Sequence, residues 1–190
     1  MESVRAFVAV ELPPFILERL RQVQEQLQAY SSAVKWVDPT GIHLTLKFLG
    51  DVPGDQLEAI SQALSRAARR SSHHTVEVEG IGGFPTLISP RVLWVGMKMP
   101  EELAELQRLV DEVLAALGFP RENRPFSPHL TLARVREGAG PAERRRLGEA
   151  ARNLMVGSLG SFPVEEVGLV QSTLTPRGAI YRRLGAFPLG

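Results

Sequence analysis

The repeated tetrapeptide His-Leu-Thr-Leu carries the residues most able to do chemistry. It begins at His43 and again at His129, 86 positions later (129 − 43). Imidazole titrates closest to neutral pH, so a pair of histidines can supply one general acid and one general base together. The hydroxyls of Thr45 and Thr131 can donate hydrogen bonds to phosphoryl oxygens as negative charge builds in a transition state. These residue types predict in-line displacement at phosphorus, with the two histidines and the two threonines as catalytic residues.

The alternation of side chains along a β-strand predicts which residues of the repeat reach solvent. On an ideal strand His43, Thr45 and Lys47 share one face, while the leucines between them and Phe48 lie on the opposite, apolar face. Two positions along a strand span roughly 6.6 Å, so a His and a Thr on one face can flank a phosphate-sized group. The second copy shows the same split, and a twofold relation would bring both polar faces to one groove.

Two basic residues near the motifs are candidate substrate-binding residues. Lys47 shares the predicted face of His43, where it either contacts a neighbouring phosphate or is a solvated lysine at the strand end. Arg134 falls on the face of Leu130 on an ideal strand. It would need a β-bulge or the strand end to reach the groove.

Three aromatic residues have contrasting expected positions. Trp36 and Phe84 are candidates for stacking on a nucleic-acid base. Trp94 is expected in the core, because the strand that contains it is apolar.

A structural role and a metal site are the alternatives for the repeated motif. A duplication could preserve the tetrapeptide for packing alone, but a His and a Thr that face away from the leucines are poor packing residues. Two histidines could also bind a metal, since imidazole is a common ligand. Neither motif carries Asp, Glu or Cys, and two histidines without a nearby third ligand make a weak zinc site. We therefore expect no metal and no cofactor.

The same offset relates other parts of the chain and predicts an internal duplication. Arg5, which opens an apolar segment, corresponds to Arg91, and the Pro-Arg pair that ends at Arg91 corresponds in turn to the pair that ends at Arg177. The segment 78–82 corresponds likewise to 164–168. We predict a single domain over residues 1–190, formed by a duplication of about 1–86 and 87–172 and a closing strand over 173–190.

The pattern of apolar residues predicts an α+β fold. Each half contains two segments with helical spacing, and strands are expected near 4–11, 42–49, 75–82, 91–98, 129–135 and 162–170. The predicted architecture is bilobal, with two lobes related by a pseudo-twofold axis. Each lobe is a β-sheet backed by helices, and the active-site cleft lies between the lobes.

The composition excludes several classes of protein. The 190 residues include no cysteine, which excludes a disulfide scaffold and a thiol nucleophile. The net charge is +1, which argues against strong non-specific binding of RNA or a membrane surface. The early apolar run, Ala6–Val10, is too short for a signal peptide or a membrane span. We expect a cytoplasmic protein that has no membrane partner and acts as a monomer.

Four stretches of the chain together resemble the two-histidine (HxTx) phosphoesterase superfamily, and in particular its RNA 2′,3′-cyclic phosphodiesterase or 2′-5′ RNA ligase family. They are RAFVAVELP from Arg5, HLTLKFLG from His43, PRVLWVG from Pro90 and FSPHLTLAR from Phe126. The resemblance covers essentially the whole chain, and both signature motifs match without departure. It implies a bilobal α+β fold in which the two motifs face each other across a cleft.

The resemblance also implies an activity and a role for each histidine. It implies metal-free hydrolysis of a terminal 2′,3′-cyclic phosphate on RNA to a 2′-phosphomonoester, with joining of tRNA halves through a 2′-5′ linkage as a weak companion activity. By resemblance His43 is the proton donor and His129 the proton acceptor, since nothing in the sequence itself distinguishes the two. An Arg after the second motif is common in the family, which favours Arg134 as a substrate-binding residue. The alternative functions are an RNA-binding or ligating module with incidental hydrolysis and a metal-binding structural protein.

Overall fold

The computed structural model describes residues 3–190, which form nine strands and four helices. The strands are β1 (Ser3–Val10), β2 (Val34–Trp36), β3 (Leu44–Pro53), β4 (His74–Phe84), β5 (Val92–Met97), β6 (His129–Val135), β7 (Ser158–Val164), β8 (Glu166–Thr175) and β9 (Gly178–Pro188). The helices are α1 (Pro14–Gln28), α2 (Leu57–Arg69), α3 (Glu101–Ala115) and α4 (Pro141–Asn153). The predicted helices are confirmed. The strand expected at 162–170 is instead two strands, and the sequence analysis did not predict β2.

The strands form two antiparallel sheets, one for each lobe. The four-stranded sheet has the order β3-β1-β8-β9, and the five-stranded sheet has the order β2-β6-β5-β4-β7. The first half of the predicted duplication contributes β2 and β4 to the five-stranded sheet, and the second half contributes β8 to the four-stranded sheet. The two lobes therefore do not coincide with the segments 1–86 and 87–172.

The helices cover one face of each sheet and enclose a continuous apolar core. Helices α2 and α3 pack on the four-stranded sheet, against β8, β9 and β3, while α1 and α4 pack on the five-stranded sheet, against β7 and β4. The four motif leucines are buried in this core: Leu44, Leu46, Leu130 and Leu132. The α+β class with two sheet-and-helix lobes is confirmed, and the second face of each sheet is left for the polar motif residues.

Both motif strands contain a one-residue irregularity at the same place. In β3, Thr45 lies opposite Ala9 and Lys47 lies opposite Val8, so that Leu46 has no partner in the pairing. In such a β-bulge two successive residues of one strand lie opposite a single residue of its neighbour, so the alternation of faces is reversed beyond the bulge. The residues after the bulge therefore exchange faces relative to an ideal strand.

The second motif strand repeats the bulge. In β6, Thr131 lies opposite Trp94 and Ala133 lies opposite Leu93, so that Leu132 has no partner in the pairing. The buried side chain of Gln24 on α1 supports this site, since its Nε2 donates to the carbonyl oxygen of Leu132 at 3.0 Å. The bulge is thus held from the core side by a helix of the same lobe.

The strand pairing also corrects the offset between the first strands of the two halves. Ala9 lies opposite Thr45 and Trp94 lies opposite Thr131, so Ala9 and Trp94 are equivalent and stand 85 positions apart (94 − 9). An offset of 86 would instead align Trp94 with Val8, which is buried in the core. The motif strands keep the offset of 86, and the first strands differ from it by one residue.

Lys47 does not share the face of His43, and that expectation is wrong. The bulge at Leu46 turns Lys47 toward α3, where its side chain is 8% exposed. Its Nζ donates to Asp111 Oδ1 at 2.5 Å and to the carbonyl oxygen of Pro120 at 2.6 Å. The same carboxylate oxygen accepts a hydrogen bond from the Glu122 N–H at 3.3 Å. Lys47 therefore joins β3 to the segment that leads into the second motif.

Replacement of Lys47 by Met should destabilise the fold by about 3–5 kcal/mol, because the carboxylate of Asp111, whose side chain is only 13% exposed, would lose its cationic partner. Replacement of both residues, K47M with D111L, should recover most of that loss, since an apolar pair of similar volume can replace a buried ion pair. Urea denaturation of the variants measures both effects.

Lys98 provides the matched control for this prediction. Its ammonium pairs with Glu77 at 2.5 Å but is 58% exposed, so K98M should change the urea midpoint very little. A K47M protein as stable as K98M would contradict the assignment of Lys47 to the buried pair.

Candidate active site

His43 lies on the helix-free face of the four-stranded sheet, between two aromatic rings. The ring of Phe7 stacks on the imidazole with centroids 4.5 Å apart, and Tyr181 of β9 meets it edge-on at 5.1 Å. Thr45 shares this face, because its partner Ala9 alternates with Phe7 along β1. The first motif thus presents a His and a Thr beside an aromatic wall.

The backbone before β3 orients the imidazole of His43. The turn at Pro39–Gly41 brings the carbonyl oxygen of Gly41 to 2.8 Å from His43 Nδ1. This contact assigns the Nδ1 proton as the donor and leaves Nε2 free for proton transfer. Gly41 also lies against Tyr181, whose ring would be 3.0 Å from a Cβ at that position. Burial lowers the pKa of His43 from 6.5, although the hydrogen bond with Gly41 opposes the shift.

His129 has the same local arrangement on the five-stranded sheet. It is the first residue of β6, and its Nδ1 lies 2.8 Å from the carbonyl oxygen of Ser127. In both motifs the carbonyl therefore belongs to the residue two positions before the histidine. Phe84 meets the imidazole edge-on at 5.0 Å, and Trp94 lies at 6.0 Å. The second motif thus has its own aromatic wall.

Trp94 lies on the motif face, and the expectation that it fills the core is wrong. It stands opposite Thr131 on one side and opposite Gly82 on the other. Its ring covers Gly82 so closely that a Cβ there would lie 2.2 Å from the ring, which explains the glycine. Phe84 shares this face and is exposed, as expected for a base-stacking candidate, whereas Trp36 pairs with Ala133 on the core side.

Arg134 reaches the motif face through the bulge at Leu132. It lies opposite Val92 of β5, which alternates with Trp94 and so shares its face. The bulge that the ideal-strand argument required is present at this point. The guanidinium is exposed, and no carboxylate among residues 3–190 forms an ion pair with it. Arg134 is thus available to an anion on the sheet face that also carries Thr131.

Phe48 is a candidate site residue that the sequence analysis placed on the apolar face. The bulge at Leu46 moves it to the face of Phe7, with ring centroids 6.0 Å apart, and leaves it 73% exposed. Phe48 occupies in β3 the position that Arg134 occupies in β6. That correspondence was a usable signal, because an Arg on a supposed core face already indicated that the ideal alternation fails after the motif.

The two motif strands lie near each other although they belong to different sheets. Cα atoms of β3 and β6 approach within 8 Å. His43 directly precedes β3, and His129 is the first residue of β6. Each motif therefore offers a His and a Thr, both half-buried, on a helix-free sheet face. The first adds the exposed aromatic ring of Phe48, and the second adds the exposed guanidinium of Arg134.

Neither a membrane-spanning helix nor a metal-binding cluster is found among residues 3–190. Within residues 3–190, no helix combines the length and the apolar character that a membrane span requires. The same residues contain no group of three or more His, Asp or Glu side chains placed to hold a metal ion.

Comparison with known proteins confirms the resemblance that the motifs carry. The LigT-like phosphoesterase family matches the chain twice, over residues 10–94 and 95–181. The RNA 2′,3′-cyclic phosphodiesterase of Methanothermobacter thermautotrophicus is 37% identical over 187 residues, which is 98% of this chain and all of the relative. The protein of that name from Aquifex aeolicus is 31% identical over the full length of both chains.

Solved structures agree with the sequence relatives. The protein TT0787 of Thermus thermophilus has a TM-score of 0.79 at 29% identity and covers 97% of each chain. Escherichia coli LigT in its apo form has a TM-score of 0.75 at 28% identity, covering all of this chain and 99% of the other. The same protein has been solved in complex with 3′-AMP, with a TM-score of 0.72. With its paired His-x-Thr strands and this full-length similarity, the chain belongs to the LigT-like phosphoesterase family.

Proposed function

We propose that this protein hydrolyses the 2′,3′-cyclic phosphate at the end of an RNA and leaves a 2′-phosphomonoester. The observation that carries the proposal is the pair of equivalent histidines, each with Nδ1 held by the carbonyl two residues before it and each with a Thr on its face. The names of the full-length relatives support the same reaction.

The proposed mechanism needs both motifs in one groove. Water attacks phosphorus on the side opposite the departing ribose oxygen, so the acid and the base must lie at opposite ends of the reacting group. The approach of β3 to β6 supports a shared groove, and the free Nε2 atoms of His43 and His129 then serve the two ends. Because both proton-transfer groups come from the chain, the mechanism uses no metal and no cofactor.

We assign His43 as the proton donor to O3′ and His129 as the acceptor of the proton from water. The resemblance to the two-histidine phosphoesterases carries this assignment. The lowered pKa of His43 means that its imidazolium, once formed, gives up its proton readily to the leaving oxygen. At neutral pH the free imidazole is then mostly neutral. The negative charge of the bound cyclic phosphate favours protonation and supplies the acid form when the substrate is present.

The remaining residues on the two faces bind the substrate around the reacting phosphorus. Thr45 and Thr131 donate their hydroxyl hydrogens to phosphoryl oxygens, and Arg134 offers a planar guanidinium that suits two phosphate oxygens at once. The exposed ring of Phe48 provides a surface on which the terminal base can stack. Lys47 has no place in this group, since Asp111 and the Pro120 carbonyl already hold its ammonium.

The same site would support joining of RNA ends. If the 5′-hydroxyl of a second RNA takes the place of water, its attack on the cyclic phosphate forms a 2′-5′ linkage by the same proton transfers. Halves of a cleaved tRNA are substrates of this kind. All the proposed groups come from one chain, which is consistent with a monomer, and the lack of cysteine suits a reducing, cytoplasmic setting.

The reaction itself is tested by turnover of a 2′,3′-cyclic mononucleotide in the presence of a metal chelator. Turnover should persist, because the two imidazoles supply both proton transfers, and ³¹P NMR should show a 2′-phosphomonoester. The double variant H43A/H129A is the inactive control. Loss of turnover on exhaustive chelation and recovery with zinc would contradict the metal-free mechanism, and RNA binding without turnover would instead favour a binding module.

The roles of the two histidines can be separated with a substrate whose leaving group needs no proton. H43A and H129A should each lower turnover of the cyclic phosphate by roughly 10²–10⁴, the usual contribution of a general acid or base. On an activated aryl phosphodiester, H43A should recover much of its rate and H129A should not. The reverse pattern would exchange the roles, and equal losses would mean that neither residue is a simple acid.

The protonation of His43 should respond to burial and to bound phosphate. In an NMR titration of the free protein its imidazole should have a midpoint below 6.5, because burial disfavours the charged form. Y181A should raise the midpoint by admitting water, whereas Y30A, which removes an exposed ring on another part of the surface, should not. Saturating inorganic phosphate should also raise it. A midpoint unchanged by phosphate would remove the support for His43 as the donor.

A further inference from the structure

The strand β2 breaks the symmetry between the two sheets. Without it the orders β3-β1-β8-β9 and β6-β5-β4-β7 correspond strand for strand. β2 lies at the edge of the five-stranded sheet, next to β6. The equivalent strand β3 is itself the edge strand of the four-stranded sheet. The second motif strand thus has a neighbour that the first one lacks.

This additional strand places Lys35 beside Arg134. The two residues lie directly opposite each other in the antiparallel pairing of β2 with β6, so they share one face of the sheet. The residues that flank Lys35 point to the core, where Val34 is buried and Trp36 packs against buried residues. Lys35 is exposed on the face that also carries Thr131.

Among the described residues, Lys35 differs from the other two lysines in having no ion-pair partner. The protein has three lysines, and two of them are in ion pairs, Lys47 with Asp111 and Lys98 with Glu77. Across residues 3–190, no carboxylate lies within ion-pair distance of Lys35 or Arg134. Like charges directly opposite each other destabilise a sheet. A bound anion would offset that cost.

We propose that Lys35 binds the internucleotide phosphate that precedes the terminal cyclic phosphate held by Arg134. The inference rests on the proposed function and extends it to a preference for an RNA chain of at least two nucleotides over a mononucleotide. Cβ atoms of such a pair lie about 4.5–5.5 Å apart, and both side chains are long enough to reach successive phosphates. The planar guanidinium suits the terminal phosphate, whereas the flexible ammonium suits a single charge.

The test compares two substrates that differ by one nucleotide. The first is a nucleoside 2′,3′-cyclic phosphate, and the second is a diribonucleotide that ends in the same cyclic phosphate. In K35M the ratio of kcat/KM for the dinucleotide to kcat/KM for the mononucleotide should fall about tenfold, as expected for loss of one charge-assisted contact. K35R should retain the ratio because it keeps the charge.

A matched control variant and a salt titration complete the comparison of the dinucleotide with the mononucleotide. K98M also removes a lysine from the five-stranded sheet region and should leave the ratio unchanged. The slope of log kcat/KM against log salt for the dinucleotide should decrease in magnitude by about 0.7 in K35M, the value expected for one phosphate contact on a single strand.

A substrate with a neutral linkage tests the inference without any variant. A methylphosphonate between the two nucleotides removes the internucleotide charge and keeps both bases, so the wild-type protein should lose the dinucleotide advantage. K35M should lose nothing further on this substrate. An unchanged ratio in K35M, or full retention of the advantage with the methylphosphonate, would overturn the inference and leave the proposed function standing. Failure of the wild-type protein to turn over either substrate would instead overturn both.

Discussion

The extra residue that directly follows the threonine of each motif determines which side chains lie on the faces of the two histidines. The ladder of hydrogen bonds forces strict alternation, and the bulges at Leu46 and Leu132 reverse it immediately after the threonines. Both leucines stay in the core, so the reversal moves Phe48 and Arg134 onto the faces of the histidines. Without the bulges, those faces would carry Lys47 and Ala133 instead. The active-site composition therefore depends on strand register as much as on the motif.

The near-symmetry of the two sheets gives equivalent histidines, and departures from it give them different surroundings. His43 lies between Phe7 and Tyr181, where burial lowers its pKa. His129 stands on a sheet that is extended by β2 and carries exposed cations. In-line displacement requires one protonated and one neutral imidazole, so the two histidines must differ in protonation when the substrate is bound. In the proposed mechanism the two sheets place the histidines at opposite ends of the reacting group, and the bound phosphate supplies the protonated form of His43.

The sequence predicts those features that depend on local pattern, and it fails where register or tertiary pairing decides. The four helices follow from apolar spacing, and the motif leucines are buried because alternation holds up to the threonine. Alternation alone could not place Lys47, since the bulge lies between it and Thr45. Nor could it place Trp94, whose position depends on an offset of 85 rather than 86. The exchange of β4 and β8 between sheets also leaves no local signal, because either pairing buries the same residues.

The most direct test of the account is a crystal structure of the protein with a nucleoside 2′-phosphate, the proposed product. We predict that the phosphate lies between Nε2 of His43 and Nε2 of His129, with the guanidinium of Arg134 on its oxygens. The base should stack on Phe48, and Lys47 should remain bonded to Asp111. A phosphate bound by only one histidine, or one that draws Lys47 away from Asp111, would contradict the shared site that the two bulged strands are proposed to form.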